Sequence, residues 1–176
     1  PVMFWIHGGG NTSGLKDLYD FSKMSRKHDV IVVRINYRLG PFGWFTHPAI
    51  QDLQEGDDKT SNFGTLDIIA ALKWVQNNIN LFGGDSNNVT IFGESAGGHN
   101  VYSLIASKRA NGLFHKAIAM SGYTTSISTE HAYKQEKSSS TSDFTSSNVV
   151  KYITKNNQEN LSKEEIRKTL LSLSAN

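Results

Sequence analysis

As far as Met120, the hydrophobic positions of this chain form short continuous runs that alternate with longer amphipathic stretches. Val2–Ile6 is an apolar run that predicts a buried strand, and it ends in His7-Gly8-Gly9-Gly10. Asp17–Lys27 has weak helical character. Val30–Ile35 is β-branched and almost continuously apolar, the pattern of a strand covered on both faces. A loop punctuated by glycine and proline follows, from Tyr37 to about Asn62. Gly64–Phe82 carries the strongest helix signal, with Leu66, Ile69, Ala70, Leu72, Lys73, Trp74, Val75 and Ile79 marking an apolar stripe. Gly83-Gly84 ends it as a left-handed C-cap does. Val89–Phe92 predicts a third strand, Gly93–Gly97 a sharp turn, Ala96–Ser107 a helix and Lys116–Met120 a fourth strand. This alternation predicts an α/β fold, a largely parallel sheet with helices on both faces.

The character changes after Gly122. Residues 123–147 are dominated by Ser and Thr, including Ser138-Ser139-Ser140-Thr141-Ser142, and read as a solvated loop or insertion. Two modest helices are expected near Ser147–Lys155 and Ser162–Leu173, the second opened by a capping box of Ser162 and Glu165. The expected organisation is a core segment over 1–122, the Ser/Thr-rich loop over 123–147 and a helical segment of the same domain over 148–176.

Composition narrows the function classes. The 176 residues are 38% hydrophobic and 19% charged, and 18 Lys and Arg stand against 16 Asp and Glu for a formal charge of +2. That small, scattered excess gives no footprint for nucleic acid or an anionic membrane surface. There is no cysteine, which excludes a disulfide framework, a thiolate nucleophile and a Cys-ligated metal. No apolar run reaches the roughly 18 to 20 residues that span a bilayer. The chain opens in mid-strand, so a missing leader peptide leaves both secreted and cytoplasmic locations open.

The candidate chemistry is concentrated in Phe92-Gly93-Glu94-Ser95-Ala96-Gly97. A strand before and a helix after place Gly93-x-Ser95-x-Gly97 where a nucleophile elbow sits. A serine there is held in a strained backbone conformation that exposes its hydroxyl, and the new helix points its N-terminal N–H groups at the reacting centre. Upstream, His7-Gly8-Gly9-Gly10 follows a strand, as the oxyanion loop of lipases and esterases does. Ester hydrolysis passes through a tetrahedral oxyanion, and losing one backbone donor to it typically costs about 3 to 4 kcal/mol of barrier.

Together these stretches resemble the type-B carboxylesterase/lipase family, which includes the cholinesterases. PVMFWIHGGG at 1–10 is similar to its oxyanion strand and loop, and VIVVRINYRLGP at 30–41 to its next strand and arginine turn. Residues 62–67 and 71–76 are similar to its following loop and helix, NVTIFGESAGG at 88–98 to its elbow, and 112–122 to the strand after it. The resemblance implies a partial α/β-hydrolase fold and a serine ester hydrolase acting on a small carboxylic ester, with no metal or organic cofactor. It implies Ser95 as nucleophile and the N–H groups of Gly9, Gly10 and Ala96 as the oxyanion hole. Glu94 matches an acidic neighbour that in some members organises the pocket electrostatically; it reads equally as a polar residue at a helix start. Arg38 and Asp67 match a charged pair with a bracing role.

The departures are as informative. Asn11 stands where the family often has an aromatic residue, which leaves the acyl-pocket shape and substrate preference open. The family's acid and histidine follow the serine in the chain, and no residue after Ser95 has the context of either. His99 lies on the same helix as Ser95, His115 precedes a strand, His131 lies in the Ser/Thr-rich stretch, and His7 is expected to brace the glycine loop. The base and its acid are therefore expected outside this chain, and the isolated chain is expected to be inactive. One rival is a catalytically inactive adhesion protein of the same family; another is a lipase or peptidase on the same fold. Asn11, Asn88 and Asn160 head N-glycosylation patterns of the kind frequent by chance. Asp85-Ser86-Asn87 lacks the distant glutamate of a calcium loop and reads as a turn.

Overall fold

Apolar runs and helical stretches fold in the order that the hydrophobicity pattern predicts. The computed structural model describes residues 1–134 and 145–173, so the whole run Ser138-Ser139-Ser140-Thr141-Ser142 of the expected Ser/Thr-rich loop lies outside the described residues. In chain order the elements are β1 (Val2–Ile6), α1 (Ser22–His28), β2 (Ile31–Arg34), α2 (Gly40–Gly43), α3 (Pro48–Gln51), α4 (Phe63–Asn78), β3 (Val89–Glu94), α5 (Ala96–Ala106), β4 (Lys116–Met120), α6 (Thr129–Tyr133), α7 (Ser146–Ile153) and α8 (Lys163–Leu171). They fall into two compact units, residues 1–43 with 63–125 and residues 44–62 with 126–176.

The first unit holds one sheet of order β2-β1-β3-β4, with every neighbouring pair parallel. Parallel neighbours cannot be joined by a tight hairpin, so α1, α4 and α5 carry the crossovers. β1 leads outward to β2, and the chain then returns past β1 to place β3 on its other side. The strand order therefore reverses between β1 and β3, where open α/β sheets form a crevice at the carboxyl ends of the strands. Ile6 is paired with Gly93 at that end, so the glycine loop and the serine turn leave the sheet side by side.

Burial follows position in the sheet. Val2, Phe4, Ile6, Val89 and Ile91 of the two central strands are fully buried. Trp5 is opposite Phe92 in register, and their rings lie 4.9 Å apart, joined by Tyr19 and Phe21 at 5.3 Å from Trp5. β2 is an edge strand whose residues are only partly buried, so the expectation of cover on both faces is corrected here. Its apolar composition is that of a central strand, but strand order is a non-local property that composition does not carry.

α4 also differs in detail. It ends at Asn78 and continues as a 3-10 turn over Ile79–Phe82, closed by Gly83 at φ +80°. It buries Ile68, Ile69, Leu72 and Val75, and the turn after it buries Ile79, while Ala70, Lys73 and Trp74 of the expected stripe are exposed. The sequence LDIIAALKWV is apolar almost all round, so several stripe phases fit it equally well. The predicted loop of 37–62 contains α2, α3 and a 3-10 turn over Gly56–Thr60, each too short to show a helical period.

In the second unit α3 packs on α8 around Ala49, Val150 and Ile166, with Phe45, Leu161 and Leu170 at the margin. His47 caps α3, its Nδ1 accepting from the Ala49 N–H at 3.1 Å. The expected capping box opens α8: the Glu165 N–H donates to the Ser162 hydroxyl at 3.2 Å, and the Ser162 N–H to the Glu165 carboxylate at 2.8 Å.

Candidate active site

Ser95 sits between the last residue of β3 and the first of α5 with φ +56° and ψ −121°. This left-handed conformation costs a non-glycine residue on the order of 1 to 3 kcal/mol, and the surroundings hold it there. The Ser95 N–H donates to the Met120 carbonyl at 2.9 Å, and its carbonyl accepts from the His99 N–H at 3.0 Å. Close packing completes the restraint. A Cβ at Gly97 would meet the Ile6 carbonyl oxygen at 2.1 Å, and one at Gly93 would meet the Gly97 backbone at 2.5 Å. Only glycine fits either position, so the serine is held half-buried at the tip of the turn.

Across the switch point the glycine loop lies against this turn. A Cβ on Gly8 would stand 2.7 Å from the Glu94 carbonyl oxygen and 3.2 Å from both the Glu94 Oε2 and the Ser95 Cβ. Gly8, which carries no donor role in the sequence reading, is thus the residue that brings the two motifs together. Gly9 and Gly10 follow at φ +105° and +64°. The Gly9 carbonyl turns back to accept from the N–H groups of Thr12 and Ser13 at 3.1 and 3.0 Å. Among the described residues the N–H groups of Gly9 and Gly10 donate to no protein acceptor. Ala96 is the first residue of α5, so its N–H has no carbonyl one turn earlier within the helix. The Glu94 carboxylate lies beside Gly8, half-buried.

His7 is fully buried. Its Nδ1–H donates to the Gly8 carbonyl at 2.8 Å, and its ring stacks on Tyr37 with centroids 4.4 Å apart. The Tyr37 hydroxyl donates to the His7 carbonyl at 2.6 Å. Burial pushes the Tyr37 pKa up to about 12, against a smaller lowering by the Asn100 hydrogen bond, so the phenol stays protonated at neutral pH. Asn11 adopts φ +58°, its Oδ1 accepts from the Asn100 amide at 3.0 Å, and its carbonyl accepts from the Gly40 N–H at 2.6 Å. Arg38 and Asp67 form a two-pronged pair, with Nε to Oδ2 at 2.8 Å and Nη2 to Oδ1 at 2.7 Å, and the Arg38 N–H adds a third bond at 2.9 Å. Burial opposes ionisation of Asp67, but the Arg38 hydrogen bonds and charge outweigh it and hold the carboxyl below its usual range.

Among the described residues no imidazole hydrogen-bonds to Ser95. The His99 Nδ1 bonds the Tyr123 carbonyl at 2.6 Å, His115 exchanges hydrogen bonds with Val89, and His131 bonds Ser128. His28 is exposed at the end of α1. Asp85 forms a turn with Asn87 and Asn88, its carboxylate accepting from the Asn87 N–H at 2.9 Å.

The family model for the carboxylesterase family matches residues 1–174. The chain belongs to the carboxylesterase family. Among the curated carboxylesterases it is similar to the para-nitrobenzyl esterase of Bacillus subtilis (strain 168), 48% identical over 134 residues, covering 75% of this chain and 26% of the relative. It is likewise similar to the human cocaine esterase (Homo sapiens), 51% identical over 123 residues, covering 69% of this chain and 21% of the relative. Among solved carboxylesterase structures, a PNB esterase superposes with a TM-score of 0.71 at 36% identity, covering 99% of this chain and 36% of that one. An esterase from anaerobic Clostridium hathewayi that can hydrolyse aliphatic aromatic polyesters superposes at 0.73 with 37% identity, covering 99% of this chain and 32% of that one. The sheet described above is thus the α/β-hydrolase sheet of these carboxylesterases. The chain spans about a quarter or less of the length of these curated relatives and about a third of the solved chains.

Proposed function

We propose that this chain supplies the nucleophile and the oxyanion hole of a serine carboxylic-ester hydrolase. Ser95 attacks the carbonyl carbon of a small-molecule ester, alcohol leaves, and water releases the acid from the acyl-serine. The N–H groups of Gly9, Gly10 and Ala96 receive the tetrahedral oxyanion. The observation that carries this reading is the packing of Gly8 against the strained, half-buried Ser95, directly before two glycines whose N–H groups donate to no protein acceptor among the described residues. Glu94, beside Gly8, adds negative potential favourable to a histidine that becomes cationic when it takes the serine proton. That histidine and its carboxylate partner come from outside these 176 residues, since each histidine here is engaged elsewhere or exposed at a helix end. The residues named need neither a metal nor an organic cofactor for this chemistry.

The test is to label the full-length protein with a fluorophosphonate and compare it with Ser95→Ala. The expected outcome is labelling of the wild-type protein and none of the variant, with loss of short-chain ester hydrolysis. Labelling that persists in Ser95→Ala, or is absent from the wild type, would overturn the assignment and favour an adhesion or scaffold role. Short-chain esters, long-chain esters and peptides assayed side by side separate an esterase from a lipase or peptidase.

A further inference from the structure

The glycine triplet that presents the amides has little stiffness of its own: Gly9 and Gly10 lack side chains, sit at positive φ and are exposed. Its position relative to Ser95 has to be set by what holds its two ends. At the upstream end, the His7 carbonyl accepts from the Tyr37 hydroxyl at 2.6 Å, under the stacked His7 and Tyr37 rings. At the downstream end, the Asn11 Oδ1 accepts from the Asn100 Nδ2 at 3.0 Å, with the Tyr37 hydroxyl 3.5 Å away. The Asn11 Oδ1 is thus reached both by the amide on α5 and by the hydroxyl that holds the upstream end, so one side chain links the two ends.

Asn100 is an unusual residue for its place. The buried face of α5 is Ala96, Gly97, Val101 and Leu104, and Asn100 lies on it at only 2% exposure. An apolar residue there would satisfy packing alone. A buried carboxamide persists only with its hydrogen bonds made, and the Asn100 Nδ2 donates to Asn11, the residue that follows the glycine triplet. Asn11 is equally particular. Glycine meets the demand of φ +58° at less steric cost, so the backbone alone does not call for an amide side chain. Asparagine adds the acceptor that Asn100 uses.

We propose that Asn11 and Asn100 are positioning residues that hold the Gly9–Gly10 amides in register with Ser95. α5 begins immediately after Ser95, so the Asn100 amide is rigidly related to the nucleophile. Its bond to Asn11 transfers that frame to the loop. This rests on the ester-hydrolase reading above and deepens it, because it states how the two halves of the oxyanion hole are kept at a fixed spacing.

The experiment uses the full-length protein with Asn11→Gly, Asn11→Asp, Asn100→Ala and the Asn11→Gly/Asn100→Ala double variant, beside wild type and Ser95→Ala. Asn11→Gly keeps the left-handed backbone and removes only the acceptor, so it separates the hydrogen bond from strain. The expected result for Asn11→Gly is a fall in kcat of about tenfold on a short-chain p-nitrophenyl ester, with KM changed by less than about twofold. Affinity for a trifluoromethyl ketone, whose adduct places an oxyanion on the same amides, falls by a similar factor. Asn11→Asp retains the acceptor and recovers most of the loss. The double variant is no slower than the slower single variant, because both remove one bond. Thermal unfolding of each variant separates a fold defect from a positioning defect. The proposal is overturned if Asn11→Gly keeps kcat and ketone affinity within about twofold of wild type, or if the two single losses multiply. Absence of Ser95-dependent hydrolysis in the wild type overturns the functional reading itself; Ser95-dependent hydrolysis that is insensitive to Asn11→Gly overturns only the positioning role.

Discussion

Asp67 shows how a single carboxylate can brace a loop. It accepts both prongs of the Arg38 guanidinium and the Arg38 N–H, and Gly43 is pressed so close that a Cβ would meet the Arg38 carbonyl oxygen at 2.3 Å. Its folded-state pKa lies below the unfolded value, so the unfolded chain binds the proton first as pH falls. The stability it contributes is therefore present above about pH 4, the ordinary carboxylate range, and is lost as pH falls further toward its lowered pKa. Asp67→Asn is expected to destabilise by about 1 kcal/mol at pH 7, since Arg38 is half-exposed and the pair is screened. The loss should shrink on acidification; urea unfolding at pH 7 and pH 3.5 checks it, and an equal loss at both would contradict the pairing. Gly8 gives a sharper case. Gly8→Ala puts a methyl against the Glu94 carbonyl and the Ser95 Cβ, and is expected to slow fluorophosphonate labelling at least about a hundredfold. Ser95, Gly9, Gly10 and Ala96 entered as candidates through the family resemblance of their motifs, whereas the contact of Gly8 with Glu94 and Ser95 could not be read from the sequence, because it depends on which strands become neighbours. Asn100 did leave a signal: a polar residue on the otherwise small and apolar face of the AGGHNVYSLIA helix.

At the scale of elements, the strand–turn–helix of β3 and α5 is closely packed against β1. Gly97→Ala directs a methyl at the Ile6 carbonyl 2.1 Å away, and neither backbone can move without breaking the β1–β3 ladder. A loss of about 3 kcal/mol or more is expected, read as a fall in the urea midpoint, and an unchanged midpoint would show that the two strands give way easily. α3 carries a different kind of sensitivity. Burial and the nearby Lys163 charge hold the His47 pKa below the usual histidine value of 6.5, and its cap on Ala49 needs an unprotonated Nδ1. As pH drops through 6.5 the unfolded chain gains the proton first, so stability falls from there downward. His47→Asn, which caps a helix without titrating, is expected to flatten this part of the profile between pH 7.5 and 5.5. The four strands of the sheet and the cap of α8 were legible because each is written in contiguous residues. The phase of α4 was not, since its sequence is apolar on nearly every face, and the edge position of β2 was not, since sheet order is decided by partners far along the chain.

For the whole molecule, the decisive question is where the general base resides. The chain has six histidines. The rings of five are engaged with the Gly8 carbonyl, the Ala49 N–H, the Tyr123 carbonyl, the Val89 N–H and Ser128, and the sixth, His28, is exposed at the end of α1. Freeing any of the first four means breaking a cap, a strand-end contact or the brace of the glycine loop itself. A serine with amides but no base keeps only the residual acceleration of electrostatic stabilisation, roughly a thousand- to ten-thousandfold over water, and loses the far larger remainder. The 176-residue chain expressed alone is therefore expected to hydrolyse a short-chain p-nitrophenyl ester at least about ten-thousandfold more slowly than the full-length protein. Ser95→Ala should leave that residual rate nearly unchanged, because losses within a triad are not additive, and circular dichroism should confirm that the isolated chain holds its secondary structure during the assay. A folded isolated chain within about tenfold of the full-length rate would place the base among these six histidines. His99, on the same helix as Ser95 and bonded only to a carbonyl at its ring, would then be the first to replace.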